Sequence, residues 1–150
     1  MIVWRLARAE RRALDGEGGR LAGGRWTPPG YPVVHTAATA ALAALERLVH
    51  TDSDIPGVQL ALFEIEVPDR IAATEVLIGT LLPTWRTTPA PESLQSIGLA
   101  WILSRETCVL SVPSAIVPRE RNYLLNPVHP DFRRVTLNGQ EPFAFDARLR

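Results

Sequence analysis

Two arginines and one glutamate carry the clearest chemical suggestion in this chain of 150 residues. Arg20 and Arg25 each follow a pair of glycines in GEGGRLAGGRWTPPG, residues 16–30. Glycine lets backbone approach a ligand closely. A guanidinium presents a planar fork that matches phosphate or carboxylate. The stretch therefore suits an anionic ligand, although its two halves differ. Arg25 is followed by Trp26 and then by Pro28-Pro29. A Trp on a polar loop is normally buried for its area, so Arg25 is expected where the loop is pinned. Arg20 is expected on a flexible, solvated neighbour. The spacing lacks the Lys-Ser/Thr of a P-loop and is no dinucleotide GxGxxG fingerprint.

The carboxylate is Glu46, in TAATAALAALERLVH (residues 36–50), the most secure helix in the chain. Its Ala and Leu content favours helix, and Thr36 or Thr39 can cap it. Leu42, Leu45 and Val49 form an apolar stripe. At about 100° per residue, Glu46 falls at the stripe's edge and Arg47 points away. Two readings follow. Glu46 is a boundary residue paired with His50 one turn later, or it lines a cleft, where a carboxylate stabilises a developing cation or orients a hydroxyl.

Other reactive side chains carry less. His35, His50 and His129 are scattered and nothing resembles HExxH, so no metal site is expected. Ser114 lies in no G-x-S-x-G elbow, and locally it reads as a turn or cap residue. Cys108, the single cysteine, sits in the apolar run TCVLSV and reads as buried.

These residues need elements to position them. Strands are expected over residues 2–7, 32–37, 58–68 and 107–113, and two late ones over 134–139 and 142–146 with Asn138-Gly139 as the turn between them. A second helix is expected over 91–106, with Pro91 in its first position and Leu94, Ile97, Gly98 and Trp101 on one face. Residues 8–30 read as polar and Gly-rich, with a helical turn near AERRAL, and 71–83 fit either state. The sum is a single α+β domain of several short strands and two main helices, spanning 1–150. Sixteen basic residues, all arginine, balance sixteen acidic ones. No global field recruits nucleic acid. No signal-peptide core or membrane span is read, so a cytoplasmic protein is expected.

The order of several segments adds a resemblance. WRLA, GGRWTPPGYPVVHTA, ALAALERLVH, LPTWR, IGLAWILS, VLSVPSAIVP, NYLLNPVHPDF and FAFDARL together resemble the RES domain family, toxins of bacterial toxin–antitoxin modules. The family is named for an arginine, a glutamate and a serine. These fall on Arg25, Glu46 and Ser114, and an opening-strand arginine falls on Arg5. Where the family commonly has a tyrosine, this chain has His35.

The resemblance implies an ADP-ribosyltransferase-like fold and chemistry on NAD as substrate, with no further cofactor. Arg5 and Arg25 would hold the pyrophosphate, Glu46 would stabilise the ribosyl cation, and Ser114 would fix Glu46 or the ribose. His35 would border the nicotinamide, and Trp26 would join Arg5, Arg25 and His35 in binding the substrate. The acceptor is water, phosphate or a protein. A non-catalytic NAD-binding module with a degenerate site is the alternative. The implied partner is an antitoxin of the Xre helix-turn-helix type, in a complex compatible with a toxin homodimer.

Overall fold

Apolar residues at alternate positions give the first strand, β1 (Ile2–Arg8), which pairs along its whole length with β3 (Leu60–Glu66). β3 in turn carries β7 (Thr136–Phe143) on its outer side. A second group is built from β2 (Val34–Ala37), β5 (Val109–Pro113) and β6 (Arg121–Leu125), with the short β4 (Ala73–Glu75) added to β5 in parallel. The computed structural model describes residues 1–50 and 57–149. Within them the strands form one mixed seven-stranded sheet, ordered β4-β5-β6-β2-β1-β3-β7. The two groups meet at one register pair, Trp4 opposite Ala37. Beyond that pair the β1–β2 ladder stops, and the sheet forks.

Three helices flank the sheet: α1 (Glu17–Ala22), α2 (Ala40–Val49) and α3 (Glu92–Ser104). One core cluster gathers Val3, Phe63, Ile65, Val109 and Leu125 across both groups of strands. Elsewhere two separate clusters form. α2 packs Leu42 and Ala43 on Leu6, Ala37 and Leu62. α3 packs Leu94 and Trp101 with Trp26, Trp85, Leu110 and Leu124. The architecture is a single α+β domain. Among the described residues no helix is long and apolar enough to cross a membrane.

Several elements differ from the sequence reading. Residues 17–22 form α1 rather than a flexible loop. Gly19 makes this possible: it is buried, and a Cβ there would press on the Val33 carbonyl and the His35 ring. The stretch AERRAL is turn and irregular chain instead. The two late strands are one. β7 passes through Asn138-Gly139 without reversing, and the register shift against Glu64/Ile65 leaves Asn138 as the extra residue of a bulge. Pro142 is tolerated because β7 is an edge strand. Residues 71–83 resolve into β4 and a 3₁₀ turn, Ile78–Thr80. The strand β6 had no counterpart in the sequence reading. Pro91 is the N-cap of α3 rather than its first residue, and Ile102 joins Leu94, Gly98 and Trp101 on its buried face, with Ile97 partly buried against the same cluster.

α3 approaches the Arg25 loop so closely that a Cβ on Gly98 would fall inside the van der Waals shell of the Trp26 carbonyl. Backbone cannot give way as a flexible side chain can. Gly98→Ala is expected to destabilise the fold by about 3 kcal/mol or more. Gly79→Ala, which meets nothing within 4 Å, should stay within about 0.5 kcal/mol. Denaturant unfolding of the two variants checks this contrast.

Candidate active site

The fork between β1 and β2 opens a cleft of about 720 Å³. Residues of both strands line it, together with α1, the Gly23–Trp26 loop and the inner side of α2. Five arginines reach the wall, Arg5, Arg8, Arg11, Arg25 and Arg47, and one carboxylate, Glu46. A concave surface so dominated by one sign focuses its field on an anion.

Glu46 is held from the opposite side by the β5–β6 hairpin. Ser114 Oγ donates to its Oε1 at 2.8 Å, and Asn122 Nδ2 donates to the same oxygen at 2.6 Å. Ser114 is fully buried. Its hydroxyl oxygen also accepts from the backbone N–H groups of Ile116 and Val117, both at 3.1 Å. With its acceptor side occupied, its one proton is directed at Glu46. Among the described residues no hydrogen bond is made to Glu46 Oε2, which leaves one carboxylate oxygen for a ligand. α2 is tied to the same hairpin at its start. Thr39, the N-cap, accepts from the Leu42 N–H and donates to Glu120 Oε2 at 3.1 Å.

The helix presents Glu46 by a route that the Leu42–Leu45–Val49 stripe hides. Leu45 and Val49 are exposed, while Leu42 and Ala43 are buried. Glu46 lies one turn beyond both, so it falls within the inward face and not at its edge. Arg47 also lines the cleft and does not point away from it. The expected Glu46–His50 pair is replaced by the two bonds from the hairpin. Alanines form much of this inward face, and their small size lets α2 lie close to the sheet.

Arg25 lines the cleft and bonds the 85–88 segment. Its Nη1 donates to the carbonyls of Trp85 at 3.0 Å and Thr87 at 2.9 Å. Burial lowers its pKa from the ordinary guanidinium value, and the charge on Glu46 opposes that shift. Trp26 is buried and tilted against Trp85, with ring centroids 6.3 Å apart. Gln95 on α3 fixes the same loop by donating to the Gly24 carbonyl at 3.0 Å. Arg20 makes a solvent-facing pair with Glu17, at 2.8 and 2.9 Å, and does not line the cleft. Arg5 donates to the Ala13 carbonyl at 2.5 Å, and burial lowers its pKa.

His35 is half-buried on the cleft wall beside Gly19 and Gly24. Burial pushes its pKa down to about 4, helped by the nearby charges of Arg5 and His50, so the ring is neutral at pH 7. Cys108 is fully buried, and burial raises its thiol to about 11. The chain thus brings Arg5, Arg25, His35 and Glu46 to one cleft. Ser114 stands behind Glu46, and Trp26 anchors the Arg25 loop. Asn122 went unnoticed in the sequence because the strand that carries it did. The β-prone run NYLLN was the available signal.

Residues 2–146 match the RES domain. The chain belongs to the RES family. Among RES relatives, it is 39% identical to the Prs ADP-ribosylating toxin of Sphingobium sp. strain YBL2, over 97% of this chain and 94% of that protein. It is also 39% identical to Toxin Res of Yersinia enterocolitica over the full length of both. Its fold is similar to that of a chain in the crystal structure of the M. tuberculosis MbcT–MbcA toxin–antitoxin complex. That likeness has a TM-score of 0.77 at 21% identity and covers 95% of this chain and 84% of that one. Of the three residues singled out by the family resemblance, Ser114 and Glu46 are bonded to each other, and Arg25 lines the same cleft as Glu46.

The His35 environment has a consequence for stability. Above about pH 6.5 the ring is neutral folded or unfolded, and below that the unfolded chain binds a proton that the fold refuses down to about pH 4. Stability falls across this window as pH drops, by about 3 kcal/mol in full. Replacing the residue by Phe should remove that part of the slope. Urea unfolding of both proteins between pH 7 and 4 measures it, and parallel curves would contradict it.

Proposed function

We propose that this chain is the toxin of a toxin–antitoxin module and that it consumes NAD by breaking the nicotinamide–ribose bond. The observation that carries this reading is the half-committed carboxylate in an arginine-lined cleft: Glu46 has one oxygen clamped by Ser114 and Asn122, and among the described residues none bonds the other. The names of the relatives, and the toxin–antitoxin complex among the structural neighbours, support the module assignment.

Cleavage leaves the bonding pair on nicotinamide, which departs as a neutral base, so no general acid is required. Positive charge develops at the ribose C1′, in an oxocarbenium-like transition state. Glu46 Oε2 stabilises that charge, directly or through a ribose hydroxyl, while the clamp on Oε1 removes the cost of orienting it at the moment of reaction. Arg5 and Arg25 take the pyrophosphate as charge-assisted donors. The neutral ring of His35 borders the cationic nicotinamide without repelling it. The acceptor oxygen then bonds to C1′ and releases its proton. Water or phosphate as acceptor gives NAD degradation.

A second reading follows from one relative. The printed name of the Sphingobium protein is that of an ADP-ribosylating toxin, so a protein side chain as acceptor is the alternative for the same site. The partner proposed for the module is an antitoxin, of helix-turn-helix type by the family resemblance.

Nicotinamide release from NAD, measured on antitoxin-free protein with water, phosphate and candidate protein acceptors, tests the assignment. Glu46→Gln should lose about 10²–10³ in rate. Arg25→Ala should lose more than Arg20→Ala, whose side chain stays outside the cleft. Equal activity of wild type and Glu46→Gln would remove Glu46 from the chemistry, and equal losses at the two arginines would remove the distinction between them.

A further inference from the structure

Asn122 is anchored by the sheet itself. Its backbone lies inside the sheet, paired with Ala37 of β2 on one side and Val112 of β5 on the other. Its neighbour Arg121 fastens the hairpin further, donating to the Ser111 carbonyl at 2.8 Å and the Val76 carbonyl at 2.7 Å. The Asn122 side chain reaches the cleft wall and makes the shorter of the two bonds to Glu46.

The other end of the same amide is informative. Asn122 Oδ1 is buried and, among the described residues, has no hydrogen-bond partner. A buried amide oxygen without a protein partner costs about 1–3 kcal/mol. An aliphatic side chain at this position would avoid that penalty and still fill the space. Reversing the amide would set Oδ1 against a carboxylate oxygen at hydrogen-bond distance, which is repulsive. The amide is therefore favourable here only through what Nδ2 does for Glu46.

We propose that Asn122 is a positioning residue for the reaction: it holds Glu46 Oε1 in the sheet's frame so that Oε2 is presented to the ribose. The inference rests on the NAD-consuming reading above and deepens it. Ser114 alone fixes a distance, and a carboxyl group on one bond still swings about it. Two donors on one oxygen, from opposite ends of the hairpin loop, fix the plane as well. The charged and titratable groups that share the cleft with Glu46 are Arg5 and Arg8 from β1, Arg11 beyond it, Arg25 from the loop, His35 from β2, Arg47 from α2 and His50 at its C-cap.

Two substitutions separate positioning from mere packing. Asn122→Leu keeps the volume and removes the donor. It should lower kcat about 10²-fold, the scale of a misplaced catalytic group, with KM for NAD changed less than about threefold. Asn122→Asp supplies a donor only while it holds a proton. Two carboxyl groups in contact share one proton at acid pH and repel when both ionise. Its turnover relative to wild type should therefore be partly restored at low pH and fall as pH rises, whereas the Leu variant stays low throughout. An Asp variant that tracks the Leu variant at every pH, or a Leu variant with wild-type kcat, would overturn the proposal.

A second measurement does not depend on turnover. In the wild-type protein one Asn122 side-chain amide proton should resonate far downfield, as expected of a short bond to carboxylate, and it should return upfield in Glu46→Ala. An amide resonance that ignores Glu46→Ala overturns the inference by itself. Absence of nicotinamide release from the wild-type protein with every acceptor would instead overturn the proposed reaction.

Discussion

Two hydrogen bonds on a single carboxylate oxygen organise this protein. Glu46 sits on the inward face of α2, and both of its donors come from the β5–β6 hairpin. For those bonds to form, the helix must lie flat on the sheet and in register with the hairpin. The alanines of α2 permit the close approach, and the Thr39–Glu120 contact fixes the helix start. Hydrogen bonds to an ionised acceptor are worth roughly twice neutral ones. They also leave the carboxylate's second oxygen in place at no further orientational cost.

The sheet's fork gives that carboxylate a cavity to face. Had β1 and β2 paired along their full lengths, the space beside Arg5 and His35 would be closed. One register pair holds the two groups of strands together while their remaining residues line the cleft. The Arg25 loop closes one side. It is fastened from three directions, by Trp26 on Trp85, by Gln95 on its carbonyls and by Gly98 beneath it. Arg25 in turn bonds the carbonyls of Trp85 and Thr87, so the loop and the 85–88 segment position each other.

Much of this was legible in the sequence, for identifiable reasons. Trp26 and the prolines announced a pinned loop, and that loop is pinned. The α+β class followed from alternation and helix content. The late strand was misread because Asn-Gly ordinarily reverses a chain, whereas here both flanking segments find the same partner edge on β3 and the pair becomes a bulge. The inward face of α2 was misjudged because alanine carries little weight in a hydrophobic stripe. Yet small residues are what a helix needs to bring a carboxylate close to a sheet. The strand that carries Asn122 could have been read from NYLLN, but the role of its side chain comes from a contact 76 positions away in sequence. No local pattern encodes such a pairing.

The most direct measurement is a crystal structure of the antitoxin-free Glu46→Gln protein with NAD bound. The expected complex has the pyrophosphate against Arg5 and Arg25, the nicotinamide beside His35, and a hydroxyl of the adjoining ribose within hydrogen-bond distance of residue 46 on the side away from Ser114 and Asn122. A dinucleotide bound elsewhere, or one whose nicotinamide ribose lies out of reach of residue 46, would contradict the role assigned to the clamped carboxylate.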